Sequence, residues 1–319
     1  RSLRWRRFYL SFSESSPIIR FDRLAGPNLW LSWRPPLLDA LTEKQVARIS
    51  RRLGHNVVRI RGRYWRWREL GFLEPVHLAA TFAEDEVAPL RKVTLGYRAR
   101  MANPGLAAPA ALLPYVLSDV QSYGLHRLKS RRRTQVRKCY QSLEIRQLTD
   151  SALLEEQGYA VVLAGLARTL HARPPRKAAF LRDTRVWTSA PGLVTLAALR
   201  EGRLVGILTG YAAEKTAYHV NTFINEKGLK HSAGIGMLFH FLEMCSRTPG
   251  LEQAVSGLFQ HDNPGLYHSK SQLGFEVAQW PAHSWLSPLV RPVLRRHLPV
   301  KYGRWLGEFR PEDVAFESG

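Results

Sequence analysis

Residues 217–239 read AYHVNTFINEKGLKHSAGIGMLF, and the reading of this stretch decides the fold. Ala217 to Ile224 is a short run of apolar, aromatic and β-branched residues, which predicts a strand. Lys230 and then His231-Ser232-Ala233-Gly234-Ile235-Gly236 follow. Beyond them Ile235, Leu238, Phe239, Leu242 and Cys245 recur on one face at helical spacing. A strand, a glycine-bearing loop and a helix start form a device for holding phosphate. Glycine lets the backbone approach an anion, and the first helical N–H groups have no partner within the helix. The same pattern also reads as a plain strand-to-helix turn, so its neighbours must decide.

Upstream, Leu193 to Leu199 and Leu204 to Tyr211 are two more apolar runs. Glu201-Gly202-Arg203 separates them, and Ala213-Glu214-Lys215 precedes the third run, which predicts an antiparallel meander. Downstream, Leu251 to Ser256 reads as a strand. Asn263-Pro264-Gly265-Leu266-Tyr267 opens a short helix that ends at Leu273-Gly274-Phe275.

This order resembles the GCN5-related N-acyltransferase (GNAT) family over roughly residues 150 to 280. The resemblance implies an acyl-CoA co-substrate. Its pyrophosphate is expected on Lys230, His231, Ser232, Ala233, Gly234, Ile235 and Gly236, with His231 where the family usually has Arg or Gln. Asn263 caps the later helix and is expected to touch the pantetheine arm. Tyr267 stands where the family often places the acid that protonates the leaving thiolate, and it reads equally as a packing residue. His219 is the first candidate for the general base and reads also as a satisfied, half-buried histidine. His261 with Asp262, and Glu226, are further candidates.

The first half of the chain carries a second resemblance. Leu37 to Leu53 reads as a helix with a Thr42/Gln45 capping box, and Asn56 to Ile60 as a strand. Trp65 to Leu70 reads as a short helix ending at Gly71-Phe72, and Val76 to Phe82 as a strand. Arg98 to Pro114 reads as an irregular loop. A strand, short helix, Gly-Phe and strand is similar to the first half of the FemAB type of acyltransferase, in which two GNAT-like halves stand in tandem. Residues 125–138 fit the basic helix that joins such halves, with Arg133, Arg137 and Lys138 expected to meet the acceptor or another anion. Glu144 to Gln147 then resembles the strand that opens the second half. A helix starting near Asp150 and a shorter one over Ala178 to Arg182 are expected to wall the acceptor site.

The expected fold is thus α/β (α+β), with two tandem GNAT-like mixed sheets flanked by helices and joined by a basic helix. The expected division is 1–124, a half without a cofactor loop; 125–148, the basic linker and the first strand of the second half; 149–282, the acyl-CoA-binding half; and 283–319, a basic amphipathic tail.

The chain has 319 residues and a formal net charge of +21. Such an excess creates a field suited to an anionic partner: tRNA, an acyl carrier protein, a membrane surface or a phosphorylated acceptor. Two cysteines, Cys139 and Cys245, make neither a disulfide framework nor a metal cluster, and the 11 histidines are dispersed. No metal is expected. No apolar run approaches the roughly 20 residues that span a bilayer, and no signal peptide is visible. The expected location is the cytoplasm, with attachment to the membrane periphery open. In residues 1–36 aromatics interleave with arginines, which suits either single-stranded nucleic acid or a strand packed on the domain.

The expected reaction is transfer of an acyl group from acyl-CoA to a small-molecule or envelope-precursor amine by direct attack. Two alternatives stand beside it: FemAB-like transfer of an amino acid from aminoacyl-tRNA, and a non-enzymatic protein that binds nucleic acid or anionic membrane.

Overall fold

A computed structural model describes residues 37–68, 71–103, 110–169, 174–259 and 263–306. The expectations for the N-terminal basic-aromatic stretch and the His261/Asp262 pair lie outside them.

Two mixed sheets carry the fold. The second-half sheet runs in the order Glu276–Val277, Pro114–Ser118, Gln253–Leu258, Thr216–Ile224, Arg203–Ala213, Leu193–Arg200, Glu144–Gln147, and Ala40–Leu41 joins it in parallel against Arg203–Ala213. The expected meander is its centre. Glu201 and Gly202 take positive φ of 52° and 75°, the conformation that closes a two-residue hairpin loop with the right twist. The helix Ala233–Arg247 lies on this sheet and buries Met237, Leu238, Phe239, Phe241, Leu242 and Cys245. Each such large side chain contributes about 1.5–3 kcal/mol of burial.

The first-half sheet runs Val57–Ile60, Arg63–Trp67, Phe72–Pro75, Gly96–Met101, Trp280–Leu286, Ala110–Leu112, with Thr81–Phe82 also on Gly96–Met101. Several expectations are corrected here. The short helix expected at 65–70 is instead the strand Arg63–Trp67, which pairs with Val57–Ile60 across a turn at Arg61 (φ 51°) and Gly62 (φ 81°). Its residues alternate faces. Trp65, Leu73 and Tyr97 of three adjacent strands enter the core, while Arg66, Glu74 and Arg98 take the opposite face. Of the strand expected over 76–82 only Thr81–Phe82 is strand, and Phe72–Pro75 forms a strand just before it. The loop expected over 98–114 holds the strands Gly96–Met101 and Ala110–Leu112. The helix expected at 178–182 runs over Lys177–Ser189.

The sheets exchange strands, so they do not follow the division at 124 and 282. Pro114–Ser118, from the first half, lies between Gln253–Leu258 and Glu276–Val277 of the second. Trp280–Leu286, from the end of the chain, returns to pair with Gly96–Met101. The tail is therefore part of the first sheet, followed by the helices Arg291–His297 and Pro299–Leu306. Leu294 and Leu306 pack under Phe72 and Leu286. A buried contact also ties the halves: the Ala79 N–H donates to Tyr218 Oη at 2.9 Å, and that oxygen lies 2.8 Å from His77 Nδ1.

The basic helix Ser130–Ser142 packs along Ala233–Arg247. No helix among the described residues is long and apolar enough to cross a membrane.

Candidate functional site

The central strand Thr216–Ile224 pairs in parallel with Gln253–Leu258 over three residues only, Thr216 to Tyr218. Beyond Tyr218 the two strands part, which leaves the polar backbone edge of residues 219–224 on that side outside the ladder. The antiparallel neighbour adds an irregularity at the same place. Gly210 pairs with His219 and Thr209 with Asn221, so Val220 is the extra residue of a bulge. Val220 is exposed and lines a cavity of about 540 Å³ that lies between the two sheets.

His219 lines the same cavity, and both of its ring nitrogens are engaged. Nδ1 lies 2.7 Å from Ser256 Oγ, and Nε2 lies 2.7 Å from Thr222 Oγ1. Lys270 Nζ stands 3.3 Å from Nδ1 and donates to Ser256 Oγ. Lys270 is buried, and that burial pushes its pKa down to about 7. Burial, with Lys270 beside it, holds His219 well below the ordinary histidine range, so the imidazole is neutral at pH 7. The result is a connected set of proton-carrying groups, with Thr222 on one side of His219 and Ser256 and Lys270, in contact with each other, on the other. His219 was legible as a candidate. Ser256, Thr222 and Lys270 were missed, because a lysine in a short polar helix carries no mark of burial in the sequence.

The glycine segment is placed differently from the expectation. Ser232 takes the left-handed conformation (φ 60°), and the helix begins at Ala233, so Gly234 and Gly236 lie in its first turn. Packing requires Gly236, whereas a Cβ at Gly234 would meet only the far end of one side chain. A Cβ on Gly234 would stand 2.5 Å from Ile224 Cδ1, and one on Gly236 would stand 2.2 Å from Cys139 Sγ. Gly236 thus faces the basic helix rather than an anion. The rim of this helix start is cationic. His231 contacts Arg200, and burial, Arg200 and Lys138 all lower its pKa. Lys230 ends the short helix Glu226–Lys230 and is exposed; Glu226 opens that helix, also exposed. Of the three cations expected to meet an acceptor, Arg137 and Lys138 are exposed and Arg133 is half-buried. Lys138 alone of them is tied to the helix start, through His231.

Asn263 is confirmed as a cap: its Oδ1 accepts from Leu266 N–H at 3.0 Å. Tyr267 packs edge-on against Phe259, a cavity residue, with ring centroids 6.1 Å apart. It lines a separate depression with Ser271, Gly274, Phe275, Glu276 and Val277. The structure brings His219 to the main cavity and Tyr267 to the next one. The remaining walls of the cavity come from Trp187, Tyr211 and Tyr218 and from Arg66, Arg68, Glu74 and Arg98 of the first sheet. No group of three or more metal-ligating side chains occurs among the described residues.

Comparison with known proteins agrees with this architecture. Residues 127–253 match the family model described as an acetyltransferase (GNAT) domain. No curated protein matches the chain. Among solved structures, FemX superposes with TM-score 0.56 at 8% identity, covering 81% of this chain and 94% of that one. A C-terminal domain (DUF2156) assigned to a lysylphosphatidylglycerol synthetase, from Agrobacterium fabrum, superposes with TM-score 0.53 at 10% identity, covering 83% and 94%. A conserved protein of unknown function from Bacteroides thetaiotaomicron gives TM-score 0.50 at 12% identity, covering 78% and 93%. At such identities the likeness is one of fold.

Proposed function

From the premise that this chain is an acyltransferase with a GNAT domain in a FemAB-like twin-sheet fold, we propose that it moves an acyl group from a thioester to an amine by direct attack. The parting of Thr216–Ile224 from Gln253–Leu258 supports this reading most strongly. An edge of unpaired strand accepts an extended chain of amides by strand addition, which is what a pantetheine arm offers. In this reading the donor phosphates lie at the start of Ala233–Arg247, against its first N–H groups and among Lys230, His231, Lys138 and Arg200. Ala233, Gly234 and Ile235 supply backbone N–H groups rather than side chains, since the N–H groups of Ser232 and Gly236 donate to the Leu229 and Ser232 carbonyls, and Asn263 borders the arm.

The amine enters from the cavity between the sheets. Its nitrogen bonds to the thioester carbonyl carbon, and in this reading a backbone N–H of the parted strand edge meets the oxyanion. The C–S bond then breaks. One proton must leave the amine and one must reach the thiolate. With Lys270 neutral, Thr222 donates to His219 Nε2, Nδ1–H donates to Ser256, and the Ser256 O–H turns to donate to Lys270 Nζ, the reverse of the bond the ammonium makes. A proton taken up at the Thr222 end moves each proton along by one bond and leaves Lys270 as the ammonium. His219 is the base in this scheme and Lys270 the final acceptor. Tyr267 protonates the thiolate from the far side of Phe259.

A second reading keeps the same site and replaces the thioester by the ester of an aminoacyl-tRNA. The +21 charge and the exposed Arg137 and Lys138 favour it. Single-turnover transfer with acetyl-CoA, longer acyl-CoAs and aminoacyl-tRNA, side by side over a panel of amines, tests both. Transfer from coenzyme A thioesters is expected. Transfer from aminoacyl-tRNA alone selects the second reading, and transfer from none defeats both.

A further inference from the structure

The cavity has a charged wall that the transfer chemistry does not use. Arg66, Glu74 and Arg98 come from three neighbouring strands and lie side by side on the cavity face of the first sheet. Arg68 joins them from the end of its strand. Arg98 contacts Glu74 directly, Arg68 Nε lies 3.1 Å from Glu74 Oε2, and Arg66 Nη2 lies 3.7 Å from that same oxygen. Burial raises the Glu74 pKa, but Arg98, Arg68 and Arg66 outweigh it and hold the carboxyl below the usual carboxylate range. Glu74 is the only acid lining the cavity among the described residues. Three guanidinium groups therefore face one carboxylate, and two positive charges are left over.

The wall is also incomplete in hydrogen bonds. Arg66 Nε is buried and has no partner. A buried N–H of a charged group without an acceptor is costly, and like charges at close range repel strongly away from water. A structural ion pair needs one arginine per carboxylate. The surplus here has the composition of an oxyanion site, and arginine forks match phosphate oxygens in pairs. A phosphate monoester dianion balances the surplus in full, and the phosphodiester of a lipid headgroup, a monoanion, balances half of it.

We infer that this wall binds a phosphate group carried by the amine acceptor, with Arg66 and Arg68 holding its oxygens and Glu74 fixing Arg98 beside them. The inference rests on the acyl-transfer reading for the word acceptor, and on the wall itself for the phosphate. The same phosphate chemistry belongs to a soluble phosphorylated amine and to an amine-bearing phospholipid headgroup, and the test separates them.

Thermal shift of the full chain is followed with inorganic phosphate at constant ionic strength, for the parent and Arg66→Gln. Phosphate is expected to stabilise the parent, and the variant to bind it at least about tenfold more weakly, since a charge-assisted fork is lost. The shift produced by coenzyme A is expected to be the same in both. Arg68→Gln, at a more exposed position, serves the same comparison if Arg66→Gln does not fold. In transfer assays phosphate is expected to compete with the acceptor and not with the donor. Phosphoethanolamine accepted far better than ethanolamine identifies a soluble acceptor, and transfer to phosphatidylethanolamine vesicles identifies a lipid; either supports the site. A phosphate shift that survives in both variants overturns it. Loss of the coenzyme A shift, with the Arg66-dependent phosphate shift intact, defeats the donor reading and leaves this site standing.

Discussion

Lys270 Nζ lies 3.3 Å from His219 Nδ1, and both groups reach Ser256 Oγ. The helix Pro264–Ser271, capped by Asn263, lays this lysine over the strand Gln253–Leu258 where that strand parts from its neighbour. An ammonium kept from water is disfavoured, and the Lys270 pKa falls from 10.5 to about 7. A group with such a pKa gives up and takes up a proton at neutral pH with little driving force either way, as a proton acceptor in catalysis requires.

The same shift makes stability depend on pH. Below about pH 7 the folded and unfolded chains both carry the Lys270 proton, and the destabilisation from its burial is fully present. Above that point the folded state loses the proton first, so stability rises with pH until the unfolded lysine titrates. Between pH 7 and pH 9 the gain from this one group is about 2 kcal/mol. Urea midpoints across that range should therefore climb in the parent. Lys270→Met should be the more stable protein at pH 7 and should lack that part of the rise.

Activity should rise over the same pH range, but Lys270→Met should lower it. The relay needs neutral Lys270, so the parent's rate constant should increase with pH through about 7. Lys270→Met leaves no terminal acceptor, and the loss should be 10²–10⁴-fold, the usual worth of general acid–base catalysis. Single-turnover rates from pH 6 to 9 check both statements. A flat pH profile in the parent removes the relay.

Gly236 tests packing against function. Gly236→Ala places a methyl group 2.2 Å from Cys139 Sγ, between two packed helices. Overpacking of this kind costs about 1–3 kcal/mol. Cys139→Ala in the same chain removes the sulfur and should recover part of that loss. Coenzyme A affinity, measured where both variants are folded, should stay near the parent's, because residue 236 faces the basic helix rather than the donor.

These residues also mark what the sequence could reveal. The meander, the Thr42/Gln45 capping box and the Asn263 cap rest on local periodicity and on caps a few residues long, and each is present. The hairpin of residues 57–67 reads as part helix because Gly71-Phe72 follows as a helix stop, although Trp65 and Trp67 stand two apart, the spacing of a strand. Gly62 was the overlooked turn signal. The return of Trp280–Leu286 to the first sheet joins residues almost 200 positions apart, and no local rule encodes it. The placement of Lys270 is of the same kind. Its neighbours in sequence are polar, and only the tertiary packing of its helix removes it from water. Arg66, Glu74 and Arg98 became a set only when their strands were seen to be adjacent.

The cationic rim at the start of Ala233–Arg247 should govern donor affinity. Lys138 and Arg200 both act on His231 there. Replacing the two together with Gln should weaken coenzyme A binding and reduce its salt dependence, with little change in the acceptor's Michaelis constant. Titrations at several salt concentrations decide this. Equal salt slopes for parent and variant leave the rim as ordinary solvated charge.

The last prediction separates the two acid–base ends of the site. Tyr267 and Lys270 lie three residues apart on one helix, yet Tyr267 lines the depression beside Phe275 while Lys270 meets His219. If Tyr267 protonates the leaving thiolate, Tyr267→Phe removes one hydroxyl and almost no volume. The rate should fall about 10²–10⁴-fold with coenzyme A binding unchanged. Stability should change by roughly 1 kcal/mol, the worth of a single hydrogen bond. The loss should shrink with a donor whose thiol is more acidic, because that thiolate departs with less help. Lys270→Met should not show this, since its proton comes from the amine and not from the leaving group. Single-turnover transfer with a graded series of thioesters measures the difference directly. A full rate in Tyr267→Phe assigns the ring to packing on Phe259, and an equal dependence on leaving-group acidity in both variants defeats the division of labour between them.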